Sequence, residues 1–162
     1  MSAVDVEIAV ECDGWPDEAV LIAMAKTSFS TAMDVLELDE AFNVSLLFTK
    51  DAAVQVLNRD WRGQDKPTNV LSFPAGDSPI ETEVEFLGDI AVALETVAHE
   101  AAGEGKTFNH HLTHLLVHGF LHLCGYDHET GDDDADEMET LERAILARLA
   151  IADPYAVNDD QL

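Results

Sequence analysis

Between Phe108 and Cys124 the chain reads FNHHLTHLLVHGFLHLC, and this run constrains the fold more than any other. Leu112, Leu115, Leu116, Val117, Leu121 and Leu123 make it apolar nearly all round when wound as a helix, so it has to be a central, buried one. Yet His111, His114, His118 and His122 sit in the same run. Burying several imidazoles costs free energy unless each finds a partner. The rest of the chain must therefore enclose this helix and leave its histidines something to bind.

The spacing of those histidines points to a metal. His118 and His122 are four residues apart, which puts both rings on one helix face with Cβ atoms roughly 5–6 Å apart. Gly125 can take the left-handed conformation that stops a helix, and the reversal can bring His128 back toward the pair. A helical HxxxH pair with a third histidine is a zinc-ligand pattern. Three nitrogens leave one tetrahedral position open to water, as in catalytic rather than structural zinc sites. The series His118, His122, Gly125, His128 has the spacing of the HExxHxxGxxH metzincin proteases, except that Gly119 stands where those enzymes carry their general base. Without that carboxylate, ordinary peptide hydrolysis is disfavoured. Cys124 is awkwardly placed to close the fourth position and reads as a small apolar residue. His114 and His111 continue the stripe one and two turns earlier. Each could orient a substrate or support a ligand, or simply be a hydrogen-bonded core residue, the reading favoured for His111.

The remaining sequence supplies an enclosure. Val4, Val6, Ile8 and Val10 alternate with polar or small residues, the period of a half-buried strand. A helical segment follows from about Pro16 to Leu38, then strand FNVSLLFT at 42–49. Next come a helix from Asp51, read as its capping residue, strand NVLSFP at 69–74 and strand FLGDIAVAL. Helices are expected at about 95–103, 108–124 and 132–149. In the last, Ala135, Met138, Leu141 and Ile145 recur at helical steps, so it should pack over the turn carrying His128. The order β-α-β-α-β-β-α-α-α implies an α/β (α+β mixed) fold: a small mixed four-stranded sheet covered by helices, with a zincin-like metal site. At 162 residues, with no repeat or linker, a single domain over 1–162 is expected.

Charge narrows the partners. Thirty-three acids against eight bases give a net charge of −25, which should repel nucleic acid unless the positive charge is gathered in one place. Four of the eight bases, Lys50, Arg59, Arg62 and Lys66, fall between 50 and 66, where only Asp51, Asp60 and Asp65 oppose them. Arginine suits phosphate through its planar fork, although Arg62 could instead pair with Asp60 or Asp65. The N-terminal residues lack the basic and apolar pattern of a signal peptide. The stretch Leu112–Cys124 is too short to span a bilayer, so no membrane association is expected. Two cysteines do not make a disulfide framework, which fits a cytoplasmic protein.

Three motifs in order resemble one family. HGFLHLCGYDH at 118–128 is similar to the HGxLHLxGYDH signature of the YbeY family, bacterial metal-dependent endoribonucleases of ribosomal RNA maturation. LNRDWRGQDKPTNVLSFP at 57–74 resembles its LNxxYRxxDxPTDVLSFP block, and LGDI at 87–90 its next one. Trp61 stands where tyrosine is usual and Asn69 where aspartate is common. The resemblance implies one zinc per chain on His118, His122 and His128, with Arg62 near the cleft. It implies single-stranded RNA, including ribosomal RNA, as substrate and small-ribosomal-subunit proteins as partners.

The catalytic candidates are then Arg62 and His114, with Arg59, Arg62 and Lys66 binding substrate. Tyr126 and Asp127 would shape the ligand turn and support a ligand from behind, and Ser72 and Asp89 are weaker candidates for the cleft wall. A zinc-activated water or a 2′-hydroxyl could be the nucleophile. An assembly factor with a structural metal, and another kind of zinc hydrolase, are the alternative functions.

Overall fold

The period-two alternation at the N-terminus forms strand β1 (Ala3–Val10), and the element order expected from sequence is the one observed. A computed structural model describes residues 3–75, 84–126 and 131–151 of the chain. After β1 come α1 (Glu18–Leu36), β2 (Ala41–Thr49), α2 (Asp51–Arg62), β3 (Val70–Pro74), β4 (Val84–Ala93), α3 (Leu94–Glu104), α4 (Phe108–Leu123) and α5 (Asp132–Arg148). The sheet order is β1-β2-β4-β3, with β1, β2 and β4 parallel and β3 antiparallel to β4. Parallel neighbours need a crossover, and α1 provides the first.

The two faces of the sheet are covered unequally. On one, the alternate residues Phe42, Val44, Leu46 and Phe48 of β2 are buried together with Ile90 and Val92 of β4. Helices α1 and α4 pack there, joined by Phe29 and Phe120, whose rings stack 4.8 Å apart. Helix α4 touches α1, α3, α5, β3 and β4, which is the central position its all-round apolarity demands. By length and composition α1 could cross a membrane, its mean hydropathy being 1.3. In the fold its Leu21, Ala25, Phe29, Ala32 and Met33 are fully buried.

On the other face, among the described residues, only α2 is laid down, over β3 and β4. Val54 and Leu57 meet Leu71, Phe73 and Ala93 there, in a small separate core. Asp5 and Glu7 of β1 are exposed.

Local chemistry departs from expectation in one instructive place. Asp51 does not cap its own helix, which has no side-chain cap. Its carboxylate instead accepts the backbone N–H of Thr96 at 3.0 Å and the Thr96 hydroxyl at 2.7 Å. Glu95 in turn accepts the backbone N–H of Asp51 at 3.2 Å. The N-termini of α2 and α3 therefore cap each other, each lending a carboxylate to orphan donors of its neighbour. This ties α2 to the end of β4.

Candidate functional site

Helix α4 ends where its sequence says it should. Gly125 adopts a φ of 102°, while Tyr126 N–H reaches the Leu121 carbonyl at 3.0 Å and Gly125 N–H that of His122 at 3.0 Å. These two bonds form a Schellman stop with glycine in the left-handed position. The last turn is thereby fixed, and with it the direction of His122. The rings of His118 and His122 face one another, their Nε2 atoms 3.1 Å apart.

Behind His118 lies a residue the sequence reading missed. Glu142 of α5 is 0% exposed, and its Oε1 stands 2.6 Å from His118 Nδ1 and 3.6 Å from His114 Nε2. The signal was available: Glu142 lies four residues after Met138 and three before Ile145, both buried, on the apolar stripe of an otherwise acidic helix. The expected stripe of Ala135, Met138, Leu141 and Ile145 is observed at Met138 and Ile145, both in the core, with Leu141 packed against them. Ala135 and Leu141 are only half-buried, and Glu142 occupies its centre. With the carboxylate facing Nδ1, that nitrogen carries the proton and Nε2 offers its lone pair outward.

His111 is held differently. Its Nε2 stands 2.8 Å from Glu100 Oε1, and Glu100 also accepts from Asn69 Nδ2 at 3.0 Å. This network ties α4 to α3 and to the start of β3. His114 lies between the two systems, half-buried next to Glu142 and set back from the cleft wall.

His118 and His122 open onto a cleft of about 820 Å³ whose other walls include Arg62, Lys66, Asn69, Ser72 and Tyr126. None of its described lining residues is a carboxylate. In a chain of net charge −25 that is a marked local exception. Lys66 is positioned by Asn58, buried on α2, which donates to the Lys66 carbonyl at 2.9 Å. Arg62 lies along β3, the last strand of the described sheet: Nη2 donates to the Ser72 carbonyl, and the guanidinium lies 5.5 Å from the centroid of Phe73. The alternative pairing of Arg62 with Asp60 or Asp65 does not occur, since Asp60 takes Arg59 at 3.0 Å and Asp65 takes Gln55 at 3.0 Å. Arg59 is not among the residues that line the cleft.

Ser72 is buried and donates to the Gly119 carbonyl at 3.2 Å. A Cβ at Gly119 would stand 3.1 Å from Ile90 and from Ser72 Oγ, a tight fit in which those two side chains would have to give by a few tenths of an ångström. Gly88 is more strictly required. At a φ of 139° its Cβ would overlap the Phe73 carbonyl oxygen and lie 3.0 Å from Leu123, wedging β3 and α4 off β4. Burial, with a smaller contribution from Glu85, pushes the Cys124 thiol up to about 12, so it stays protonated at neutral pH. Burial, then Glu137, raises the Tyr126 phenol. Asp89 lies on the opposite face of the sheet, outside this cleft. Asp127 and His128 fall outside the described residues, and among those described no three potential ligands are grouped.

The profile of the family described as Endoribonuclease YbeY matches residues 13–150. The chain belongs to the YbeY family. It is 53% identical over 167 aligned residues to the protein named Endoribonuclease YbeY from Allorhizobium ampelinum, covering 96% of this chain and 97% of that one. It is 52% identical to that of Azorhizobium caulinodans, covering 94% and 97%. The solution structure of a Thermotoga maritima protein shares the fold, with a TM-score of 0.55, 24% identity and coverage of 94% of this chain and 99% of that one.

Proposed function

We propose that this protein is a zinc-dependent endoribonuclease that cleaves single-stranded RNA in the cytoplasm. Within that role we place it in maturation of the small-subunit ribosomal RNA 3′ end and in ribosome quality control, working with small-subunit proteins. The observation that carries the reading is the cleft itself, where two outward-facing imidazole nitrogens meet Arg62 and Lys66 with no carboxylate among the described walls. The names of its relatives agree with it.

The donor set suits zinc. Two nitrogens bound to one tetrahedral ion at about 2.0–2.1 Å sit roughly 3.3–3.4 Å apart, close to the 3.1 Å between His118 and His122. The carboxylate behind His118 orients the ring and raises its basicity, as metal-bound histidines commonly require. In this proposal His128 provides the third nitrogen. Zinc, when bound, supplies Lewis-acid charge and an acidified water.

The chain's own residues do the rest. Arg62 keeps the remainder of its guanidinium fork for phosphate oxygens while its Ser72 bond fixes its orientation. Lys66 adds a second positive charge on the same wall. Glu142 positions His118 and, through its longer approach, His114, which we assign as a positioning residue. Tyr126, protonated at neutral pH, presents a phenol to the cleft. Gly119, beside His118, offers no side chain to act as a peptidase base.

The test is cleavage of short single-stranded RNA by the same preparation as purified, after chelation, and after zinc is restored. Activity should vanish and return. Unchanged cleavage after complete metal removal would refute zinc dependence. Arg62→Ala should lower cleavage strongly with zinc content unchanged, and Arg62→Lys should recover only part of the rate.

A further inference from the structure

A second groove of about 540 Å³ lies on the opposite face of the sheet, between α2 and the strands. Its walls are chiefly apolar, among them Leu47, Leu57, Trp61 and Phe73, with Asp89 on the sheet side and Arg62 at the rim. Arg62 lines the histidine cleft as well, so the two openings meet at one guanidinium. Trp61 is 72% exposed, although its indole is the largest apolar group on that face. Its ring meets Phe73 edge-on at 6.5 Å, which leaves a broad face of the indole to solvent.

The charges around the groove are ordered. Across the open face the strand register aligns Glu7, Ser45, Asp89 and Phe73 in one row. Of the charged residues that line the groove, Asp89 stands on the sheet side and Arg62 on the α2 side, and Lys66 adds a cation in the adjoining histidine cleft. A phosphate backbone is held to the cationic rim and repelled from the sheet, whereas an uncharged planar group can enter the groove. No described residue pairs with the Asp89 carboxylate. It is an acceptor without a donor at a wall where the flat edge of a base would arrive.

We propose that this groove is a nucleobase subsite. A base flanking the cleavage position stacks on Trp61 while its phosphate stays with Arg62, and Asp89 accepts hydrogen bonds from the edge of the base. Guanine, which offers its N1–H and N2 amino donors side by side, is favoured over uracil, whose single N3–H is flanked by two carbonyl oxygens, because a carboxylate can only accept. The inference rests on the endoribonuclease reading for its substrate, and aromatic stacking of this kind is how single strands are held without base pairing.

Three measurements test it on the full chain. In zinc-loaded protein, Trp61→Ala should raise KM for single-stranded RNA roughly 5- to 150-fold, the range of one lost stacking contact, with kcat, zinc content and Tm unchanged. Trp61→Phe should recover part of the loss, whereas Trp61→Leu, which keeps apolar surface without a π face, should not. Asp89→Asn should reduce the preference for guanine over uracil between oligonucleotides differing at one position. In a Trp15→Phe background, which leaves Trp61 as the sole indole, metal-free protein should show emission quenched by the same RNA. Quenching without any cleavage by the zinc-loaded wild type would sink the nuclease reading and leave the base subsite standing. Normal cleavage with unchanged KM in Trp61→Ala would overturn the subsite and leave the nuclease reading intact. A Trp61→Ala variant that only dissolves a dimer, with RNA affinity unaltered, would assign the groove to self-association and overturn the proposal.

Discussion

Two histidines of one helix, His118 and His111, each face a glutamate, and the difference between the pairs is which ring nitrogen is engaged. Glu142 meets His118 at Nδ1, at 2.6 Å, from a fully buried position. Nε2 is left facing His122 and the cleft. Glu100 meets His111 at Nε2, at 2.8 Å, from a side chain still 32% exposed. The remaining His111 Nδ1 is buried without a hydrogen-bond partner and cannot reach a ligand. The same two residue types therefore make a donor for chemistry in one place and a brace between α3, α4 and β3 in the other. A histidine's role follows from the nitrogen its neighbour leaves over.

The comparison can be broken most forcefully at the nitrogens themselves. His118→Ala and His122→Ala should each weaken zinc binding by more than the roughly 100-fold seen when only a supporting residue is lost, read by elemental analysis of dialysed protein. His111→Ala should keep its zinc, and a variant of His118 with full occupancy would remove that residue from the ligand set. Next in size is Glu142→Gln, which keeps the shape but not the charge behind His118. Zinc affinity should fall about 10- to 100-fold, measured by competition with a chromophoric chelator. The smallest effect belongs to Glu100→Gln, whose hydrogen bonds are partly solvated. Stability should drop by about 1 kcal/mol in denaturant unfolding, with zinc affinity unchanged. Equal zinc loss in the two glutamine variants would mean that neither pair is special.

How much of this the sequence disclosed depended on range. Element order and type were legible throughout because each rests on local periodicity, as in β1 and the run from Phe108 to Cys124. The Gly125 stop was legible for the same reason. The sheet order was not, because nothing local shows that β4 inserts between β2 and β3. Glu142 was missed because it lies twenty-four residues from His118 among many acids. Only its phase with Met138 and Ile145 marks it out. Asp51 was misassigned for a related reason: the donors it satisfies belong to a helix forty-five residues away, and a capping preference names the residue type without naming the helix. Arg62 was read as a phosphate ligand or an ion-pair partner, and its bond to the Ser72 carbonyl of β3 has no sequence signature. His128, central to the ligand pattern, lies outside the described residues and rests on the sequence alone.

The most direct test of the nitrogen rule is a long-range nitrogen–proton correlation spectrum of the imidazoles, recorded on the full chain before and after zinc is added. On zinc binding the Nε2 resonances of His118 and His122 should move, His118 should keep its proton on Nδ1, and His111 should not respond. A zinc shift at His118 Nδ1, or a response at His111 with none at His118, would contradict it.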